Sequence, residues 1–448
     1  MSMQFSEALR YLLDLGHETL AIKLGLRNIE LLLAALDHPE KSYPGVQIAG
    51  TNGKGSTAVV LDSICRAAGI KTGLYTSPHL VSITERIRVG GVEISQEEFA
   101  RAASVVRDTA EQLEATKQIA ALPTFFEQVT AIALTEFKNR RVQLAILETG
   151  LGGRLDATTA ARADIIAITP IALDHQQYLG DSLASIAAEK AAIIRPGVIA
   201  IIAKQPPEAL EVILRECRSN HVKPSLGDCH FNVDEVSSDG QMLVTFETKQ
   251  DRYARVRVGL RGLHQLDNIA VAIRIAESLR DRGFSISAKA IAEGIETAKH
   301  AGRLEFWPGR PALLFDGAHN VAGALALRRY LDSFVRKPIT MIFGAMADKN
   351  LEEIAAILFP VARRLILTQL ANPRAATVET LQKFVAMEGA VEVQAARSVA
   401  EAINIAKQIT PDGDLICITG SLYLVGDTQA ALRANDVSSL YSATHNYN

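Results

Sequence analysis

The sequence predicts an α/β protein with two parallel β-sheets, one after the other along the chain. Residues 46–49 are apolar or favour extended backbone and predict a short buried strand, a Gly-rich turn follows, and an apolar-periodic helix then begins at Ser56. Residues 71–76 return as a second strand, and this strand–helix–strand order is typical of a parallel sheet covered by helices on both faces. The alternation starts again near residue 300, which predicts a second, smaller, Rossmann-like α/β domain.

The composition is that of a folded protein without a strong charge preference. The 448 residues are 48% hydrophobic and 22% charged, and the net charge is −3, so nucleic acid and anionic membranes are not expected as partners. The four cysteines have no paired spacing, which suits a reducing compartment. We see neither a signal peptide nor an apolar run of membrane-spanning length, and therefore predict a cytoplasmic protein.

The turn after the first strand is typical of a phosphate-binding site. It reads Gly50-Thr-Asn-Gly-Lys54-Gly-Ser56, so glycines free the backbone and Lys54 adds positive charge at a helix N-terminus, where the helix dipole favours anions. It departs twice from the usual G-x-x-x-x-G-K-[ST] pattern, because Ile48 replaces the first Gly and Gly55 separates Lys54 from Ser56. An ordinary glycine-rich turn is the alternative, but the lysine among three glycines favours nucleotide binding.

Polar side chains follow the neighbouring strands at the same edge of this sheet. Ser77 comes directly after the second strand, Glu148 ends the apolar strand 142–147, and Asp174 and His175 follow the strand 164–169. Ligands of open α/β sheets bind at this carboxyl edge. A serine and a glutamate oxygen there would suit Mg²⁺. Asp174 and His175 are either an acid/base pair or a metal ligand with its orienting partner.

Three further features of the first domain are a lysine on an Ala-rich helix, a pair of phenylalanines and a predicted hairpin. Lys190 lies on the Ala-rich helix 182–194 and is either a snorkelling surface lysine or a buried one that needs a partner. The pair Phe125-Phe126 opens the helix 124–139 and either packs into the core or forms a flat wall for an aromatic ligand. Period-two alternation around residues 237–240 predicts a small antiparallel hairpin.

The second domain has polar loops of its own at the ends of its strands, notably Asp316-Gly-Ala-His319-Asn320 and Gly420-Ser-Leu-Tyr423. We divide the chain into an ATP-binding domain (1–299), a C-terminal domain (300–436) and a polar tail (437–448). Two sets of polar loops favour a reaction between two substrates across a cleft, and no Asn-Lys-x-Asp motif of a GTPase-like switch is present. Joining an acid to an amine with ATP is such a reaction, through an acyl phosphate that the amine displaces.

Seven motifs in a fixed order give the chain a specific resemblance. It resembles the folylpolyglutamate synthase/dihydrofolate synthase branch of the Mur ligases over nearly its whole length, in residues 49–56, 75–80, 147–158, 172–175, 189–194, 315–320 and 419–423. The resemblance implies a Mur-ligase-like P-loop ATPase domain followed by a Rossmann-like glutamate ligase domain. It also implies ATP-dependent addition of L-glutamate to dihydropteroate, which makes dihydrofolate, and to folates through the γ-carboxyl, which makes polyglutamates.

The resemblance also implies roles for individual residues. ATP would be held by Asn52, Gly53, Lys54, Gly55, Ser56, Asn268, Arg303 and Asp316. Two Mg²⁺ ions would be held by Ser77, Glu148, His175 and Lys190, the last as a carbamylated lysine. Catalysis would involve Lys54, His175, Lys190 and His319. The pterin substrate would be bound by Lys23, Leu24, Gly25, Thr124, Phe125, Phe126, Glu127, Leu155, Asp156 and Ala157.

Two positions depart from the family's pattern. Thr159 stands where the family often has Asn, and Lys23 stands where some bifunctional members carry an acid. We favour a bifunctional, monomeric enzyme. The alternatives are a synthase restricted to polyglutamylation, a cell-wall Mur ligase that uses a UDP-linked acceptor, and a non-catalytic nucleotide-binding protein.

Overall fold

The computed structural model describes residues 3–16, 25–226, 229–385 and 392–443, with side chains as far as residue 434. Lys23 and Leu24 lie outside the described residues. The strands are β1 Gly45–Ala49, β2 Thr72–Tyr75, β3 Ile87–Val89, β4 Val92–Glu93, β5 Leu144–Glu148, β6 Ile165–Ile168, β7 Ile199–Ile202, β8 Ser225–Leu226, β9 Cys229–Val236, β10 Met242–Thr248, β11 Arg252–Arg257, β12 Glu305–Trp307, β13 Ala312–Asp316, β14 Ile339–Phe343, β15 Arg364–Thr368, β16 Glu392–Ala396 and β17 Leu415–Thr419. The α-helices are α1 Phe5–Asp14, α2 Arg27–Ala35, α3 Lys54–Ala67, α4 Gln96–Ala115, α5 Phe125–Asn139, α6 Gln176–Leu179, α7 Leu183–Ala191, α8 Pro207–Ser219, α9 His264–Asp281, α10 Ala288–Thr297, α11 Val321–Phe334, α12 Leu351–Leu358, α13 Val378–Val385, α14 Val399–Ile409 and α15 Leu422–Ala443.

The first sheet has eight strands in the order β4-β3-β2-β5-β1-β6-β7-β8. The strands from β2 to β8 in that order are parallel, and β3 and β4 form an antiparallel edge. This confirms the predicted parallel sheet. Strand β1 lies between β5 and β6, with Ile48 level with Glu148 on one side and Ala167 on the other. The turn that follows β1 therefore starts at the middle of the carboxyl edge.

Hydrophobic cores hold this sheet from both of its faces. Helices α3, α9 and α10 pack on one face, where Ile64, Ile269 and Ile291 are fully buried. Helices α4 and α5 cover the other face with residues such as Val106 and Ile132. All five residues of β1 are buried, so the strand that carries the Gly-rich turn is fixed on both sides.

The predicted hairpin around residues 237–240 is confirmed, and a third strand extends it. Strands β9, β10 and β11 form an antiparallel sheet in the order β11-β10-β9. This small sheet packs on α9 and shares its core, and the Tyr253 hydroxyl donates a hydrogen bond to Glu277 Oε1 at 2.8 Å.

The second large sheet has the order β12-β13-β17-β14-β15-β16, and all its strands except β12 are parallel. Helices α11 to α13 cover one face and α14 and α15 cover the other. This is the predicted Rossmann-like arrangement. Helix α15 is anchored to the sheet by its buried Leu424, Val425 and Leu432, and it continues to Ala443, past residue 437 where we predicted that a polar tail begins. Within the described part of the chain, none of the helices has the length and apolarity that crossing a membrane requires.

Candidate active site

The loops at the carboxyl edges of the two large sheets face each other across a cavity of about 740 Å³. Most of the predicted site residues that the structure describes line this cavity. They are Gly25, Asn52, Gly53, Lys54, Gly55, Ser56, Ser77, Thr124, Phe126, Glu127, Glu148, Leu155, Asp156, Ala157, His175, Lys190, Asn268, Arg303, Asp316 and His319. Phe125 is the exception among the described ones, as shown below.

The Gly-rich turn curls tightly around its own lysine. Gly50 and Gly53 have φ values of 145° and 90°, which only glycine adopts readily. A Cβ on Gly53 would lie 2.1 Å from Asn268 Oδ1, so the backbone needs glycine there for space as well. Lys54 Nζ donates to the carbonyl oxygens of Gly50 and Thr51, both at 3.1 Å. The first N–H groups of α3 lack intrahelical acceptors and face the cavity beside this charge, as an anion site requires.

Glu148 and Ser77 meet directly behind the Gly-rich turn. The Ser77 backbone N–H donates to Glu148 Oε2 at 3.0 Å. Burial raises the pKa of Glu148, and the nearby Lys54 charge opposes that rise. A buried carboxylate with one protein hydrogen bond beside a serine hydroxyl fits a hard divalent cation, which would supply the missing positive charge.

His175 reaches the same cavity from the loop after β6. Its Nδ1 is buried and has no hydrogen-bond partner. Burial lowers the pKa of His175 to about 4, so the imidazole is neutral near pH 7 and has a lone pair available for a metal. No three His, Cys, Asp or Glu side chains of the described residues come together as a metal site. A complete ligand set would therefore need other oxygen ligands, such as the Ser77 hydroxyl, substrate phosphates or water.

The structure decides between the two interpretations of Lys190, because it is buried on α7. The residue is 5% exposed, lines the cavity and makes no hydrogen bond or ion pair with any described residue. Burial lowers the pKa of Lys190 to about 7, so a large fraction of its amine is neutral near neutral pH.

The second sheet brings its own groups to the cavity. Asp316, at the end of β13, is buried and accepts hydrogen bonds from the Leu304 N–H at 2.9 Å and the Ala318 N–H at 3.0 Å. Arg303 Nη1 donates to Gly317 O at 3.3 Å. His319 Nδ1 lies 2.8 Å from the same carbonyl oxygen, which can only accept, so Nδ1 carries a proton. His319 Nε2 lies 3.5 Å from Asp174 Oδ2.

Asp174 connects the two sheets across the cleft. It accepts hydrogen bonds from Lys349 Nζ at 2.6 Å and Asn320 Nδ2 at 3.0 Å, both from the second sheet's loops. Asn320 Nδ2 also donates to Asn52 Oδ1 in the Gly-rich turn at 3.0 Å. Burial by itself would raise the pKa of Asp174, but the ring of His319 and the Lys349 charge hold this pKa below its ordinary value.

An apolar wall forms the other side of the cavity, and only one ring of the predicted Phe pair contributes to it. Phe126 faces the cavity beside Gly150, where an added Cβ would come within 2.6 Å of the ring. Phe125 is 4% exposed and packs into the core beneath the Arg86 guanidinium. The expectation that both rings line the substrate site is therefore wrong, because successive residues at a helix start point in different directions. Thr124 and Glu127 cap α5, with Glu127 Oε2 accepting from the Thr124 N–H at 2.7 Å.

The loop between β5 and β6 is held by Asp156. Its Oδ2 accepts from the N–H groups of Gly150 and Leu151, both at 2.9 Å, and its Oδ1 accepts from the Thr158 N–H at 3.0 Å. Its carboxylate is therefore occupied in shaping the loop. Thr159 also keeps its polar contacts, since its hydroxyl donates to Gly153 O at 2.8 Å. The departure from Asn at this position leaves the loop tied in place.

Lys349 and His300 are among the cavity residues that the sequence analysis missed. Lys349 follows β14 at the carboxyl edge, and the rule that located Asp316 could have found it. His300 follows α10 and lies 3.1 Å, through Nδ1, from Ser56 Oγ. Nothing in the sequence marks His300, because only the packing of α10 against α3 brings it to the Gly-rich turn.

Comparison with known proteins agrees with this geometry. Residues 48–276 match the Mur ligase middle domain family, and residues 302–422 match the family described as Mur ligase, glutamate ligase domain. The dihydrofolate synthase/folylpolyglutamate synthase of Bacillus subtilis is 33% identical over 93% of this chain and 97% of its own length.

Two solved structures are similar along their whole length. E. coli FolC in complex with DHPP and ADP has a TM-score of 0.85 and 30% identity, covering 97% of this chain and 99% of that one. The bifunctional folylpolyglutamate synthase/dihydrofolate synthase from Yersinia pestis, complexed with AMPPNP and Mn ion, has a TM-score of 0.82 and 29% identity, covering 96% and 98%.

The chain is an ATP-dependent ligase of the Mur type. Its parallel sheet carries a Gly-rich phosphate turn, a second α/β sheet closes over that turn, and both domains match Mur ligase families. Within that class, the chain belongs to the folylpolyglutamate synthase/dihydrofolate synthase family. The predicted fold class, family and enzyme class are thereby confirmed.

Proposed function

We propose that the protein joins L-glutamate to dihydropteroate and to folates, with ATP converted to ADP and phosphate. The observation that carries the proposal is one cavity in which the Lys54 turn, the Glu148–Ser77–His175 group and the polar loops of the second sheet all meet. A passive nucleotide-binding protein needs only the first of these. We also propose that the chain is a cytoplasmic monomer with its domain boundary at residues 299 and 300.

The chemistry follows from where the groups lie. A carboxylate oxygen of the acceptor attacks the γ-phosphorus of ATP at the α3 N-terminus, ADP leaves, and an acyl phosphate remains. The amine of glutamate, entering from the side of the second sheet, then attacks the acyl carbon, and phosphate leaves as the amine loses a proton. Lys54 stabilises the negative charge that develops in both steps. Phe126 offers a flat apolar face for the pterin ring of the acceptor.

Ser77, Glu148 and His175 would hold a divalent cation, which supplies positive charge to the phosphates when bound. The Mn ion in the Yersinia pestis relative supports this assignment. Lys190 would contribute as a carbamate. Its neutral amine attacks carbon dioxide, forms an N–C bond and releases a proton, and the product is an anion. That reaction suits a buried lysine that lacks an acidic partner and whose pKa is already lowered to about 7.

One assay with two acceptors tests the proposal. Purified enzyme is given Mg-ATP and L-glutamate with either dihydropteroate or a reduced folate, ADP is measured, and the products are identified by mass. We expect one added glutamate on dihydropteroate and at least one on the folate. Lys54→Ala is the matched inactive control, because it removes the charge but leaves the cavity open.

The outcomes separate the alternatives. Product from the folate alone would indicate a synthase restricted to polyglutamylation. Turnover only with a UDP-linked muramoyl acceptor would indicate a cell-wall ligase, and ATP binding without ADP release under any condition would indicate a non-catalytic protein.

A further inference from the structure

The contacts of Asp174 form a chain of polar groups that crosses the cleft between the two sheets. Lys349 and Asn320 come from the second sheet's loops, and both donate to the Asp174 carboxylate. Asn320 also exchanges hydrogen bonds with Asn52, at 3.0 Å and 3.4 Å. The Gly-rich turn that holds phosphate is therefore tied directly to the second domain.

The geometry of Asn320 is set by its own helix. Its Oδ1 accepts from the Gly323 N–H at 2.8 Å and caps α11. This cap fixes which end of the amide is the acceptor, so Nδ2 must point at Asp174 and Asn52. The side chain is 5% exposed. It is a rigid donor rather than a mobile surface amide.

The pair of Lys349 and Asp174 is buried, with their side chains 8% and 7% exposed. A buried ion pair that loses one partner leaves an uncompensated charge in a poorly solvated place. Here the two charges come from different domains, so each charged side chain can be solvated again when the domains separate. The pair therefore favours the closed arrangement over the open one, and it contributes little to the folding of either domain alone.

His319 of the second domain also lies close to Asp174, with Nε2 3.5 Å from Oδ2. Two further contacts between the domains lie away from these groups. The Tyr330 hydroxyl on α11 donates to Asp239 O at the tip of the β9–β10 hairpin, at 3.2 Å. Leu80 packs against Gly426 of α15, where an added Cβ would come within 2.0 Å of Leu80 O. These contacts are at the rim. Asp174, Asn52 and Lys349 instead line the cavity itself, so they close the space where phosphate chemistry takes place.

We propose that Lys349, Asp174 and Asn320 form a latch that closes the second domain over the phosphate turn and keeps water from the acyl phosphate until glutamate attacks. The inference rests on the proposed function. If the latch is loosened, a water oxygen attacks the acyl phosphate, phosphate leaves, and the acceptor carboxylate is regenerated. The net reaction is then ATP hydrolysis, with ADP formed but no amide. Lys349, Asp174 and Asn320 are positioning residues in this scheme.

The test measures ADP and amide product in the same reaction, at saturating Mg-ATP, acceptor and L-glutamate. Wild type should form one ADP per amide. Lys349→Met keeps the length of the side chain without its charge and should form at least twofold more ADP than amide. Lys349→Arg should return the ratio toward one. Lys407→Met is the control, an exposed lysine on α14, and should behave as wild type.

Asn320→Asp provides an independent variant. An aspartate oxygen can still cap α11, but the amide donor is lost and a second carboxylate is placed beside Asp174. We expect an ADP-to-amide ratio above one here too, with a melting temperature close to that of the control. An ADP-to-amide ratio of one in both variants would overturn the latch. An equal loss of ADP and amide would also overturn it, because the three residues would then act before phosphoryl transfer. A wild-type enzyme that makes no amide with either acceptor overturns the proposed function and the latch together.

Discussion

Gly53 offers the sharpest test of how the phosphate turn is built. In Gly53→Ala the backbone at φ 90° becomes strained, which costs about 1–2 kcal/mol for a residue with a side chain. The new Cβ would also lie 2.1 Å from Asn268 Oδ1. Asn268 must then give up its hydrogen bond to Gln265 Oε1, now at 2.9 Å, which adds about 1 kcal/mol. We therefore expect a loss of about 2–3 kcal/mol in the free energy of unfolding.

The Gly53→Ala substitution should impair the use of ATP more than it lowers the free energy of unfolding. Moving Asn268 and the turn together displaces two predicted ATP contacts, so we expect a large rise in KM for ATP and a large fall in kcat. The control is Gly283→Ala, since Gly283 has a similar φ of 97° and no atom within 4 Å of an added Cβ. Gly283→Ala should lose only the stability that corresponds to backbone strain, and its KM for ATP and kcat should stay unchanged. Chemical denaturation and ATP-dependent ADP release measure both quantities, and a Gly53→Ala enzyme with normal KM for ATP would refute this account of the turn.

Three other predictions follow from the burial of individual groups. Phe125→Ala should cost about 3–5 kcal/mol of stability, whereas Phe126→Ala should mainly raise KM for the pterin acceptor; equal effects in unfolding and kinetic assays would contradict their different placement. The pKa of His300 is lowered from 6.5 to about 3 by burial, so the unfolded chain binds a proton first as the pH falls. As the pH falls below about 6.5, the free energy of unfolding should therefore decrease by up to about 1.4 kcal/mol per pH unit. The decrease should be less steep in His300→Asn when this variant and the wild type are unfolded in parallel. Lys190 should incorporate ¹³C from bicarbonate, increasingly as the pH rises through about 7. Lys190→Ala should be weakly active and partly restored by small carboxylates, and full activity without them would argue against the carbamate.

Much of the site could be predicted because it depends on local order along the chain. Glu148 and Asp316 end buried strands and Ser77 lies just after one, and parallel strands bring their carboxyl ends to one edge. The same rule covers Lys349, which was overlooked.

Other features depend on packing that no local pattern encodes. Phe125 and Phe126 have the same chemistry, and only the tilt of α5 against the first sheet places one in the core and the other at the cavity. His300 reaches Ser56 because α10 packs on α3.

The sequence alone therefore determined the α/β class, the phosphate turn and the polar groups at the strand ends, because periodicity and glycine position act over a few residues. Only the tertiary structure decided that Lys190 is buried without a partner and that Asp174 joins Lys349 and Asn320 across the cleft. Burial and long-range pairing depend on how whole helices and domains pack. The charge state of a buried lysine and the closing of a cleft are set by those distant contacts, not by the residues next to them in the chain.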